Sequence, residues 1–139
     1  MQFQWILKPE VKLVNLLVSG FWRQKKEIEF AVNISLKDLK TDYIDLYQVH
    51  WPDRPAGSFS GKLEYEHKES KKSIGIEETL DVLNNLVKNG KVRHIGISNE
   101  TPWGTNQYLK FAEQKKITKI VSIQNAYNFL KFIALVRLF

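Results

Sequence analysis

Three apolar runs in the 139-residue sequence end in side chains that can do chemistry. His50 closes the run Tyr43–Val49 and is followed at once by Trp51, Pro52, Asp53 and Arg54. Ser98 and Asn99 close "VRHIGIS", and Gln124 and Asn125 close "KIVSIQN". A neutral imidazole can donate a hydrogen bond without carrying charge, or it can move a proton. The amides of asparagine and glutamine offer donor and acceptor together. Each residue also has a plainer reading: a solvated histidine at a strand end, or turn and capping residues at Ser98 and Asn99. Gln124, set among Ile120, Val121 and Ile123, is harder to set aside, because a buried amide needs partners.

The elements that carry these residues follow from periodicity. Ile28, Val32, Leu36 and Leu39 recur at helical spacing and predict a helix from Lys26 to about Leu39. "YIDLYQVH" has the composition of a strand, with Ile44, Leu46, Gln48 and His50 on one face. Trp51 to Ser73 is polar and broken by Pro52, Pro55, Gly57 and Gly61, which predicts a long loop. Ile76, Leu80, Leu83 and Val87 make a helical face, with Glu77 and Glu78 early and Lys88 and Gly90 late. "VRHIGIS" is a second strand, Thr101 and Pro102 start a helix running to about Gln114, and "KIVSIQNAYN" holds a third strand. Alternation of helix and strand demands parallel pairing, so all three strand ends lie on one rim. Ligands of parallel α/β folds bind at that rim.

The composition is globular, with 43% hydrophobic and 26% charged residues. Cysteine is absent, which excludes disulfides and thiolate metal sites and is compatible with a reducing compartment. We expect a cytoplasmic location, with a plastid as the alternative. Basic residues outnumber acidic ones to give +6, but the two signs are interleaved along the chain. A nucleic-acid partner is therefore not expected. No apolar run approaches the ~20 residues of a membrane span, so no membrane partner is expected either. In residues 1–25, Leu13, Leu16, Leu17 and Phe21 share a face at helical spacing, which predicts a terminal amphipathic helix.

The stretches "SLKDLKTDYIDLYQVHWPDRP", "GKVRHIGISNETPWG" and "KIVSIQNAYN" resemble consecutive signatures of the aldo-keto reductase family, most of all its plant and bacterial branch. The likeness runs from about Glu27 to Asn128. It implies an α/β fold: part of a (β/α)8 TIM barrel with about three parallel strands and intervening helices, strands 4 to 6 of the family barrel. Residues 26–128 would be that central part, flanked by atypical segments 1–25 and 129–139. It also implies NADPH as cofactor and a small-molecule aldehyde or ketone as substrate. On the matching positions, His50 would hold the substrate carbonyl oxygen. Ser98, Asn99 and Gln124 would hold the nicotinamide carboxamide, and Trp51 would wall the substrate side.

The family's proton-donating tyrosine, with its assisting lysine and aspartate, belongs to strands before this region. None of Tyr43, Tyr47, Tyr65, Tyr108 or Tyr127 matches the donor's position. The resemblance thus implies an incomplete chain with little or no turnover of its own, and a truncated or misjoined gene model with unrelated sequence at each end is expected. An open sheet would leave inward residues such as Ile44 and Leu46 short of packing partners and would favour self-association through its edges. The second reading is a non-catalytic remnant that acts as an interaction or oligomerising protein, docking through the N-terminal stretch and Phe132–Val136.

Overall fold

The computed structural model of the chain describes residues 13–16, 25–54 and 74–125. The element order is β1 (Leu13–Leu16), α1 (Lys25–Asp38), β2 (Ile44–Val49), α2 (Ile76–Lys88), β3 (Val92–Ser98), α3 (Pro102–Lys115) and β4 (Ile120–Gln124). Local chemistry sets most of these boundaries. Thr101 caps α3 by accepting a bond from the Gly104 N–H at 3.1 Å, and Pro102 supplies the first helical φ. Gly90 ends α2 with φ +73°, the left-handed conformation that glycine adopts without strain.

The four strands form one parallel sheet in the order β1-β2-β3-β4. The three expected strands are in place, and β1 adds a fourth. Leu13–Leu16 pair with Leu46–Val49 of β2, so this part of residues 1–25 is a strand and not the expected helix. Its apolar run satisfies either period over so short a length, and pairing with β2 decides. Leu17 and Phe21, the predicted loop beyond Arg54 as far as Ser73, and Phe132–Val136 lie outside the described residues.

The three helices share one face of the sheet. Ile28 and Val32 of α1, Leu80, Leu83 and Leu86 of α2, and Tyr108 and Ala112 of α3 close over Tyr47, Val49, Ile95 and Ile97. The opposite face carries a polar row. Gln48 lies opposite Gly96, which lies opposite Ser122. Across the glycine, Gln48 Nε2 donates to Ser122 Oγ at 3.1 Å. A Cβ on Gly96 would overlap Ser122 Oγ and come within 3.0 Å of Gln48 Cγ, so this bond needs glycine between its partners. Gly96→Ala is expected to cost about 1–3 kcal/mol by overpacking, read as a lower urea midpoint. The register between β3 and β4 steps from Ile95↔Ile120 to Gly96↔Ser122, passing over Val121 as a bulge.

Of the two inward residues expected to be short of cover, Ile44 is fully buried and Leu46 is left half-exposed; Gln48 beyond it is buried. Ile44 sits at the strand's start and belongs to the apolar cluster, whereas Leu46 lies beside the exposed His94.

Burial holds the hydroxyls of Tyr47 and Tyr108 well above the ordinary tyrosine pKa; for Tyr108 the Glu100 carboxylate adds to this, against Arg54 and a bond with Thr79. A raised folded-state pKa gives stability that is complete below about pH 10 and is lost as pH climbs past the unfolded value. The urea midpoint is therefore expected to hold between pH 7 and 9 and to fall above about pH 10. The Tyr47 hydroxyl has no hydrogen-bond partner among the described residues, so Tyr47→Phe should soften that fall at little cost at neutral pH.

Candidate active site

β2, β3 and β4 run the same way, so their carboxyl ends deliver His50, Ser98–Asn99 and Gln124–Asn125 to one rim. Hydrogen bonds then tie these residues into a single unit. Asn99 takes φ +53°, a left-handed conformation that asparagine tolerates better than most residues. The turn brings its side chain back across the neighbouring strand end. Asn99 Nδ2 donates to the main-chain oxygen of His50 at 2.8 Å and to Ser98 Oγ at 3.2 Å. Ser98 Oγ donates in turn to the main-chain oxygen of Gln124 at 2.7 Å, and the Asn99 N–H reaches the same oxygen at 2.9 Å.

These bonds join the Ser98 and Asn99 side chains to the main chain of His50 and Gln124 at neighbouring strand ends. Ser98 is buried, and its hydroxyl proton is committed to Gln124. Asn99 has spent its N–H groups internally, and its carbonyl oxygen accepts no bond among the described residues. The His50 ring is half-buried, and its Nδ1 is enclosed without a protein partner among the described residues. Trp51 packs edge-on to it, with ring centroids 5.9 Å apart at 67°.

A buried ion pair behind the rim is absent from the sequence reading. Arg54 Nη1 donates to Glu100 Oε2 at 3.0 Å, while Nη2 meets Glu100 Oε1 and also donates to Thr101 Oγ1 at 3.1 Å. Asn125 joins by accepting from the Glu100 N–H and donating to the Glu100 carbonyl, both at 3.1 Å. One signal could have found the pair: two opposite charges, each just past a strand end, on adjacent parallel strands. Thr101→Ala is expected to cost about 1–2 kcal/mol, since its hydroxyl both caps α3 and accepts from Arg54. Equilibrium urea unfolding checks this.

A cavity lined by Tyr47, Val49, Arg54, Thr79 and Tyr108 lies on the helix side of the sheet, away from the polar row. Among the described residues, no group of three or more His, Asp or Glu converges to hold a metal ion, and no helix is long and apolar enough to cross a membrane.

Comparison with known proteins bears on the rim. The aldo/keto reductase family model matches residues 18–136, further at both ends than the motifs alone indicated. Protein tas of Escherichia coli K12 is 47% identical over 106 residues, covering 76% of this chain and 30% of that protein. An aldo-keto reductase of Babesia bovis is 44% identical over 112 residues, covering 76% of this chain and 39% of that protein. The solved structure of a thermostable aldo-keto reductase, Tm1743, superposes with a TM-score of 0.55 at 29% identity, covering 85% of this chain and 34% of that one. The chain thus spans well under half the length of the curated relatives it matches.

Proposed function

Because the chain belongs to the aldo/keto reductase family, we propose that it is the central part of an NADPH-dependent oxidoreductase that reduces aldehydes or ketones to alcohols. The observation that carries this is the rim itself: a histidine with an enclosed, unpartnered ring nitrogen beside an Asn99–Ser98–Gln124 chain on adjacent parallel strands. Family membership favours an oxidoreductase over a purely interacting remnant.

The donor set suits a nicotinamide carboxamide. The carbonyl oxygen of Asn99 is left to accept from the carboxamide N–H, because its own N–H groups are engaged. Gln124 lies exposed at the end of β4, and its side chain is of the type that can complement a carboxamide. Ser98 holds these two in place through its bonds to Gln124 and Asn99. When bound, NADPH supplies the hydride that reduces a carbonyl carbon. His50 would hold the carbonyl oxygen by a hydrogen bond, which stabilises the charge growing there. Trp51, packed against His50, would limit the substrate side. The family resemblance puts the proton donor at a position that none of the five tyrosines matches, so we expect turnover by the chain alone to be near background.

NADPH titration, followed by energy transfer from tryptophan to the reduced nicotinamide, tests the proposal. Saturable binding is expected, weakened about tenfold by Asn99→Ala through loss of a hydrogen bond. An unchanged affinity in that variant, or no saturable binding at all, would reject it. A small carbonyl compound as substrate and a cytoplasmic or plastid location belong to the same proposal. So does self-association through the sheet edge: Val121 and Ile123 of β4 are 60% and 36% exposed, which is unusual for a strand's apolar residues. A sedimentation profile independent of concentration would rule out that association.

A further inference from the structure

We propose that Arg54 is a positioning residue that couples the substrate side of the rim to its nicotinamide side; this rests on the function proposed above. Arg54 follows His50 by four positions, yet its guanidinium reaches the loop of β3 and grips Glu100 with both nitrogens. Glu100 is the neighbour of Asn99, and Asn99 returns to the main-chain oxygen of His50 at 2.8 Å. The result is a closed ring of contacts from His50 along the chain to Arg54, across to Glu100, back to Asn99 and so to His50. A branch leads through Asn125, bonded to both main-chain groups of Glu100, to Gln124 beside it.

Three further features show a pocket shaped around this pair. The Glu100 side chain is 3% exposed and that of Arg54 22%, so the carboxylate is buried and the guanidinium covers it from the partly exposed side. A Cβ on Gly104 would overlap both the Glu100 carboxylate and the Arg54 guanidinium, so the first turn of α3 leaves room for them only as glycine. The guanidinium also lies 5.0 Å from the Trp103 ring centroid, which fixes its plane. Next to it, Asp53 accepts from the Ile74 N–H at 2.7 Å and joins the two ends of the intervening segment. His50, along the chain to Arg54, and Asn99, beside Glu100, therefore share one anchor. Displacing that anchor moves the amide that would hold the nicotinamide, so Arg54 acts through Glu100 and Asn99.

The test is Arg54→Lys, which keeps the charge but cannot make the forked contact. The side-chain amide resonances of Asn99 and the ring resonances of His50 are recorded beside NADPH titration and thermal unfolding. Both sets of resonances are expected to move in the folded variant, with NADPH affinity lowered on the order of tenfold by misplacement alone. Lys115→Ala, which breaks a surface ion pair with Glu77 and Asp81, is expected to move neither. A folded Arg54→Lys chain with unshifted Asn99 and His50 resonances overturns the coupling. Shifted resonances in a protein that binds no NADPH even as wild type would uphold the coupling and reject the function proposed above. If Arg54→Lys does not fold, the neutral pair Arg54→Gln/Glu100→Gln leaves no charge buried and is read in the same way.

Discussion

Arg54→Ala is expected to lower the stability of the chain by about 3–5 kcal/mol, because it strands a buried carboxylate. Among the described residues, the Glu100 carboxylate keeps the Thr101 N–H at 2.6 Å and the Thr101 hydroxyl at 3.2 Å after the guanidinium is gone. Two neutral donors replace little of what a bidentate cation supplies to a buried carboxylate. The loss would take a large share of the ~5–15 kcal/mol by which domains are stable. Glu100→Ala should cost less, since Arg54 is the more exposed partner and can turn toward water. The double alanine variant should recover part of the deficit, so that the cycle yields a coupling of at least about 1–3 kcal/mol. Urea unfolding of the four proteins measures this directly. A single Arg54→Ala variant within about 0.5 kcal/mol of wild type would mean that the pair behaves as a solvated surface contact.

Ile95→Ala is expected to cost about 2–5 kcal/mol, whereas Val121→Ala should cost less than about 0.5 kcal/mol. The two residues sit on neighbouring strands, and sequence alone ranks them alike. Ile95 is fully buried on the helix-covered face of β3, where truncation leaves a cavity that packed helices cannot close. Val121 is passed over by the register and stands 60% exposed. Similar losses at both positions would show that β4 is covered in solution, which the self-association proposed above would supply. Repeating the comparison at low and high protein concentration separates the two explanations, because cover by a second copy depends on concentration.

Much of the architecture was legible before the structure because its signals are local. The apolar repeats of α1 and α2, the Thr101–Pro102 start of α3 and the β-rich stretches around Tyr47, Ile95 and Ile120 are each specified within a few residues. Alternation of helix and strand then required parallel pairing, which was enough to bring His50, Ser98, Asn99 and Gln124 to one rim. Periodicity failed at Leu13–Leu16, where four residues suit a helix or a strand equally and only the neighbouring β2 could choose. It also underrated the cover over Ile44, which depends on where the strand begins relative to the apolar cluster.

From α1 onward the order of elements, the rim on which the polar ends gather and the family could all be read from the sequence. How those ends are joined came from packing and register. Neither the Arg54–Glu100 pair nor the Asn99–His50 bond follows from spacing, since their partners lie 46 and 49 residues apart and meet through sheet register and a left-handed turn. Local propensity acts over a few residues; which donor meets which acceptor across two strands is fixed when the helices close over the sheet and set its register.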